Sequence, residues 1–272
     1  MSAGPPLKVL WPADRSGEVL EPDDAEEALA ALYAYPVPPP CGDHGIAPPE
    51  GVRANMVSTL DGAAAGADGR SGSINTGADF RVFVLLRSLA DVVLAGAGTV
   101  RAERYGAPKA RTAFAARRAA AGQPPTPRLA VVTRSGRIPA DQGLFEGERP
   151  ALVVTSQAAG APTLDALREL AGPDGVLVAG EQDVDIRRAL DMLAERGLRR
   201  VLCEGGPSLL DTIAHAGVLD ELCLTWSPRL VGGDTPRIVH GAALDVPMSL
   251  AHLLHADGTL LGRWVRQGGR IP

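Results

Sequence analysis

The chain has 272 residues, of which 45% are hydrophobic and 22% charged, with a formal net charge of −5. That length supports one large α/β domain, or two small ones, with a sizeable core. A net acidic balance without a broad basic face argues against nucleic acid as the main partner. Three cysteines without repeated spacing (Cys41, Cys203, Cys223) argue against a disulfide framework, and no apolar run reaches the length of a membrane span. The expectation is a protein of a reducing cytoplasm.

Residues 1–50 differ from the rest. Asp23, Asp24, Glu26 and Glu27 lead into an alanine-rich stretch, 25–35, that predicts one short helix. Pro36-Val-Pro-Pro-Pro40 and Pro48-Pro49 follow, a density that forbids regular structure and reads as an extended linker. The expected organisation is an N-terminal extension over 1–50, carrying no chemistry, and a main domain over 51–272. Cys41-Gly-Asp-His44 offers half a metal site with no second cluster to complete it, so no metal is expected.

From Val52 onward strands and helices alternate. Residues 52–57 predict a strand, and 79–89 a deeply packed helix carrying Arg81 and Arg87. Six residues of separation put these two arginines about 120° apart around a helix, so they cannot share one solvent face and one of them is free to meet a ligand. Residues 91–95 (DVVLA) form a buried strand ending in Gly96-Ala-Gly98, with Thr99 as N-cap or phosphate ligand for a helical turn over 99–104. Residues 105–127, rich in Ala, Arg and Pro, read as an exposed insertion with a basic helix. Buried strands follow at 128–133, 151–155, 176–179 and 200–203. Between them lie amphipathic helices at 162–170, with Leu164, Leu167 and Leu170 as its stripe, and at 184–196, with Ile186, Leu190 and Leu193. A helix at 207–216, a strand at 219–226 and a hairpin of 250–255 with 259–265 about Asp257-Gly258 complete the pattern. This alternation predicts a largely parallel sheet covered on both faces, with an antiparallel edge.

The chemistry-bearing stretches lie at strand ends. In RVLCEGGPSLL (200–210) a buried strand stops at Glu204, Gly205 and Gly206 turn the chain, and Pro207 opens a helix. Glycines let a ligand approach the backbone, and the helix N-terminus favours an anion such as a pyrophosphate. Glu204 stands at the carboxyl edge of the sheet, where α/β proteins hold ligands. LAGAGTVR (94–101) is a second glycine turn, but Arg101 occupies the third small position of the Rossmann fingerprint, which disfavours that fold. The small-residue loop over 55–77 contains Asp61, either a turn former or a site acid. Thr133-Arg134-Ser135 ends a strand with groups suited to a 2′-phosphate.

Together, Ser58-Thr-Leu-Asp-Gly62, the run LLRSLADVVLAGAGTVRAE, Glu204–Leu210, Leu219-Asp-Glu-Leu222 and Pro228-Arg-Leu-Val-Gly-Gly233 resemble the reductase domain of riboflavin biosynthesis, the RibD C-terminal or pyrimidine reductase family. The resemblance covers roughly residues 50–265. It implies an α/β, dihydrofolate-reductase-like three-layer fold and NADPH as hydride donor. It implies cofactor contacts at Val57, Ser73, Thr99, Glu103, Arg134 and along Gly206–Thr212, with Gly205, Gly206, Pro207, Ser208 and Leu209 foremost. It implies substrate contacts at Ser71, Arg87 and Glu204, with Asp61 shaping the site. Members reduce the ribosyl group of a 5-amino-6-ribosylaminouracil phosphate to ribityl, and are commonly homodimers. Ala102-Glu-Arg-Tyr-Gly-Ala107 stands where the family carries an Asp-Asp-Pro run, and the loop beyond it, which helps hold the substrate phosphate in the family, is here an Ala/Arg-rich insertion, so phosphate ligands do not carry over. The deaminase patterns His-x-Glu and Pro-Cys-x-x-Cys do not occur, which points to a stand-alone reductase or one with a drifted substrate. The expected mechanism is hydride transfer to an opened imine, with the Glu204 carboxylate facing the cationic carbon–nitrogen unit. The alternatives are an NADPH-dependent dihydropterin or dihydrofolate-type reductase, and an NADPH-binding protein without turnover.

Overall fold

The structure, a computed structural model, describes residues 4–36 and 50–267. The strands are β1 (Leu7–Trp11), β2 (Val19–Leu20), β3 (Gly51–Thr59), β4 (Val92–Gly96), β5 (Arg128–Val132), β6 (Leu152–Thr155), β7 (Val176–Val178), β8 (Arg200–Cys203), β9 (Glu221–Ser227), β10 (Met248–Ala256) and β11 (Thr259–Arg266). The helices are α1 (Glu27–Leu32), α2 (Gly77–Leu89), α3 (Ala97–Ala102), α4 (Ala115–Ala120), α5 (Ala161–Ala171), α6 (Ile186–Ala194) and α7 (Pro207–His215).

Among the described residues, eleven strands join one sheet of order β2-β1-β10-β11-β9-β3-β8-β4-β5-β6-β7. From β9 to β7 every pairing is parallel, and from β9 outward to β2 every pairing is antiparallel. The expected mostly parallel three-layer α/β architecture is therefore present, together with the antiparallel hairpin. Residues Ala256 and Thr259 close that hairpin, and Asp257 and Gly258 both have positive φ, as a two-residue turn of this kind requires.

Period-two alternation sends side chains to two cores. Val93 and Ala95 of β4 pack with α2, α3 and the N-terminal segment, while Val92 and Leu94 pack with α6 and α7. Asp185 caps α6 by accepting from the backbone N–H groups of Arg187 and Arg188. Cys203 and Cys223 are buried thiols, and burial raises both pKa values to about 12.

Four details depart from the sequence reading. β1 and β2 extend the sheet from within 1–50, and Arg81 fastens them: its guanidinium donates to Glu26 and to the carbonyls of Pro5, Leu20 and Glu21. In the 105–127 segment, Phe114 and Arg118 are buried rather than exposed, and Arg118 donates to the carbonyls of Ser88, Ala90 and Pro124. Leu170 faces solvent, and Ala171 takes its place in the stripe of α5. Gly96, not Thr99, is the N-cap of α3. The proline-rich linker after Pro36 and the Cys41–His44 motif lie outside the described residues.

Candidate active site

The two glycine turns are brought side by side by backbone pairing. Glu204 N–H donates to the Leu94 carbonyl at 3.0 Å, and Gly96 N–H to the Gly205 carbonyl at 2.7 Å. The Gly205–Gly206 peptide is cis, and Gly205 has φ +76°. A Cβ on Gly206 would stand 2.7 Å from Thr99 Oγ1, so only glycine lets α3 and α7 begin this close together. A Cβ on Gly98 would meet nothing within 4 Å. Gly98 is thus not demanded by packing and opens onto space. α7 starts with Pro207 and has no side-chain cap.

These turns form one wall of a cavity of about 760 Å³. Val57 of β3, Ser71, Asp79 and Arg87 of α2, Thr99, Glu103, Tyr105 and Glu204 line the rest. Glu204 is only 7% exposed. Arg87 grips it as a fork, Nε to Oε1 at 2.7 Å and Nη2 to Oε2 at 2.6 Å, and Tyr105 Oη donates to Oε2 at 2.7 Å. The guanidinium lies over the rings of Phe83 (4.3 Å) and Tyr105 (5.2 Å). Burial works against the charge of Arg87, but the adjacent Glu204 overrides it and holds the pKa above its ordinary value. Burial and the same carboxylate push the Tyr105 phenol well up, so it stays a donor. Glu103 accepts from Ser71 twice, from N–H at 2.6 Å and from Oγ at 3.0 Å, tying the 71–73 turn to the end of α3.

The model of the RibD C-terminal domain matches residues 50–261. The chain belongs to the RibD C-terminal domain family. Two curated relatives are named 2,5-diamino-6-ribosylamino-4(3H)-pyrimidinone 5′-phosphate reductase. That of Methanothermobacter thermautotrophicus is 31% identical over 70% of this chain and 84% of its own. That of Archaeoglobus fulgidus is 28% identical over 69% of this chain and 84% of its own. The fold also superposes on a pyrimidine reductase-like protein of Corynebacterium diphtheriae with a TM-score of 0.72, at 25% identity, over 80% of this chain and 92% of that one.

In this RibD C-terminal domain, the cavity collects most residues singled out from the sequence: Val57, Ser71, Arg87, Thr99, Glu103, Glu204, Gly206, Pro207, Ser208 and Leu209, with Gly205 directly behind. Three lie apart from its lining. Ser73 Oγ donates to Asp68 and to the Arg70 carbonyl, both at 2.8 Å. Arg134 is 78% exposed at the end of β5, 3.6 Å from Asp183. Asp61 is exposed and accepts from Thr59 Oγ1 and from the N–H groups of Val231 and Gly232; these bonds lower its pKa. It joins the 59–63 turn to the 229–232 segment, and the structure does not bring it to Glu204. The Glu204 carboxylate is an ion pair here, and an opposing charge at hydrogen-bond distance cancels much of its field.

Tyr105 and Asp79 belong to the site but escaped the sequence reading. Tyr105 sits in an aperiodic loop. Asp79 reads as one more acid in the first turn of a helix, and only the proximity of β9 shows otherwise. Among the described residues no cluster of metal-ligating side chains occurs, and no helix is long and apolar enough to cross a membrane.

Proposed function

We propose that this chain is an NADPH-dependent reductase of a ribosylaminopyrimidine 5′-phosphate. The observation that supports this most is the convergence of the Arg87–Glu204–Tyr105 cluster and two glycine turns on one cavity. The names of the relatives supply the substrate class. The residues present fit a dinucleotide. Gly98 leaves backbone open to close approach, the uncapped start of α7 offers the Ser208 N–H to a phosphate, and Arg134 is held, among the described residues, by a solvent-exposed pair. Thr99, Ser208 and Leu209 would hold the cofactor beside these glycines, with Val57 and Glu103 along its path. Bound there, NADPH would supply the hydride that turns the nitrogen-bearing ribosyl carbon into the CH₂ of a ribityl chain.

The protein's own share is position and proton control. The fork from Arg87 fixes both oxygens of Glu204, and with Tyr105 also on Oε2 it is Oε1 that keeps a lone pair to accept from a substrate N–H or hydroxyl group. Phe83 and Tyr105 keep Arg87 from swinging away. Ser71, held by Glu103, edges the same space. Asp61 acts at a distance, by setting the loop over 59–63. A homodimer is part of this proposal, to be checked by sedimentation.

The test is steady-state oxidation of NADPH at 340 nm with a ribosylaminopyrimidine phosphate and, separately, with a dihydropterin. Turnover of the first with a ribityl product is expected. Turnover of the dihydropterin alone would replace this reading with its rival. NADPH binding without turnover of either substrate would reduce the chain to a nucleotide-binding protein.

A further inference from the structure

Helix α2 turns opposite sides to two neighbours. Asp79, Phe83 and Arg87, four residues apart, form one stripe, and all three line the cavity. Arg81 stands two residues from both Asp79 and Phe83, about 160° around the helix from each. It reaches into residues 4–36, where Glu26 and the carbonyls of Pro5, Leu20 and Glu21 take its guanidinium. Val82, Leu85 and Leu86 share one buried cluster with Leu7, Leu29 and Tyr33 of the same stretch. A Cβ on Gly4 would stand 2.9 Å from the Cβ of Arg81, so the chain there comes as close to α2 as glycine allows.

Two arginine links tie residues 25–27 to α2, one at each end of the helix. Near its start, Glu26 accepts from Arg81 Nε at 2.7 Å and Nη2 at 2.6 Å, with both side chains buried. Glu26 adopts φ 51°, a left-handed backbone that is unfavourable for a residue with a Cβ. Asp23 Oδ1 secures it by accepting from the Glu26 N–H at 2.6 Å. Strain of this kind persists where surrounding contacts fix it, and here they are the fork to Arg81 and the Asp23 turn. The far link runs through α4. Arg117 donates to the Ala25 carbonyl and pairs with Glu27 at 3.0 Å. Its neighbour Arg118 donates from Nη1 to the Ser88 carbonyl at 2.9 Å and the Ala90 carbonyl at 2.8 Å. Ser88 directly follows Arg87. The family match covers residues 50–261, so the stretch that grips α2 lies outside it.

We propose that residues 4–36 clamp α2 from behind, with Glu26 as the positioning residue, and so set the substrate side of the cavity while leaving the cofactor side alone. This rests on the reading of the cavity as a ribosylaminopyrimidine reductase site. Arg87 must keep its fork on Glu204, which belongs to the end of β8, so the pose of α2 decides whether both bonds form. A displacement of about 1 Å at a reacting site costs on the order of 100-fold in rate. The glycine turns are fixed differently. Glu204 N–H on the Leu94 carbonyl and Gly96 N–H on the Gly205 carbonyl join them, and neither α2 nor residues 4–36 take part in those bonds. The clamp therefore acts through Asp79, Phe83 and Arg87, not through the starts of α3 and α7.

The test uses Glu26→Gly, which removes the carboxylate yet suits a left-handed backbone, and Arg117→Met, which severs the far link and leaves Arg81 paired. Both are compared with the wild type well below their melting midpoints. The readouts are NADPH titration, kcat and KM for a ribosylaminopyrimidine phosphate, and hydrogen exchange of peptides from 79–89 and 204–212. Glu26→Gly is expected to lower kcat/KM by about 10-fold or more with NADPH affinity little changed. Exchange should quicken in 79–89 and not in 204–212. Arg117→Met should move the same readouts in the same direction, by less. A purely structural segment would lower the melting midpoint alone, so a folded Glu26→Gly with wild-type kcat/KM overturns the proposal. One that loses NADPH affinity in step overturns it too. If Glu26→Gly does not fold, Arg117→Met decides by the same readouts, and wild-type kcat/KM in it overturns the proposal. If the wild type reduces no ribosylaminopyrimidine phosphate, the parent reading falls, and exchange judges the clamp alone: quickening confined to 79–89 upholds it, and quickening in both peptides or in neither overturns it.

Discussion

At the scale of single residues, the two carboxyls of the cavity are opposites. Glu204 is charged and compensated, whereas Asp79 is buried and uncompensated. Replacing Glu204 by Gln removes the partner of Arg87 and leaves a desolvated guanidinium behind. The expected result is a loss of about 2 kcal/mol in stability, read by denaturant unfolding, and a fall in the single-turnover rate of about 100-fold with NADPH affinity little changed. Wild-type turnover in that variant would remove Glu204 from the chemistry. Asp79 gives a pH signature. Its pKa of about 6 in the folded protein exceeds the ordinary 3.8, so the folded state holds this proton more tightly than the unfolded chain does. Stability from this group therefore falls as pH rises from about 4 through 6 and is level above that, a cost of about 3 kcal/mol at pH 8. The charged groups sharing the cavity are Arg87, Glu103, Arg104 and Glu204, and the Tyr33 phenol lies behind Asp79 in the core. Asp79→Asn should melt above the wild type at pH 8, with the gap closing toward pH 4. A gap independent of pH would contradict this assignment.

At the scale of elements, α2 explains both what the sequence disclosed and what it hid. The 120° between Arg81 and Arg87 was legible from spacing, and the structure sends them to different tasks. Arg87 goes to the cavity, and Arg81 to the N-terminal segment. What Arg81 holds was not legible. β1 is five residues long and pairs with β10, some 245 residues further along, so no local pattern announces it. Its alternation of buried Leu7 and Val9 with outward Lys8 and Leu10 is too short to stand out. Removing the cation should leave Glu26 stranded. Arg81→Met is expected to cost about 3 kcal/mol in denaturant unfolding and to expose the segment before residue 36 to proteolysis, without altering the affinity for NADPH. Pairing it with Glu26→Gln should recover part of the loss, and a double variant no better than the single would contradict the ion-pair account. The glycine turns and Glu204 were legible because glycine and proline mark the backbone directly. Tyr105 and Asp79 were not, because what makes them part of the site is the loop and the strand that reach them from elsewhere in the chain.

At the scale of the whole molecule, the sheet divides the labour. Its parallel half gathers strand ends at one carboxyl edge, and helices α3 and α7 start there with their glycine turns in contact. Its antiparallel half, β11, β10, β1 and β2, extends the layer beyond β9, the strand whose Thr225 reaches Asp79. The cavity thus has a glycine-turn wall from the parallel half and an Asp79 wall at the boundary with the antiparallel half. The central claim is that a hydride passes, within this cavity, to the ribosyl carbon attached to nitrogen. The most direct measurement is mass spectrometry of the product formed with NADPH deuterated at both C4 positions. One deuterium on the first carbon of a ribityl chain is the expected result. A product without deuterium at that carbon, or cofactor consumption with no ribityl product, would contradict the claim.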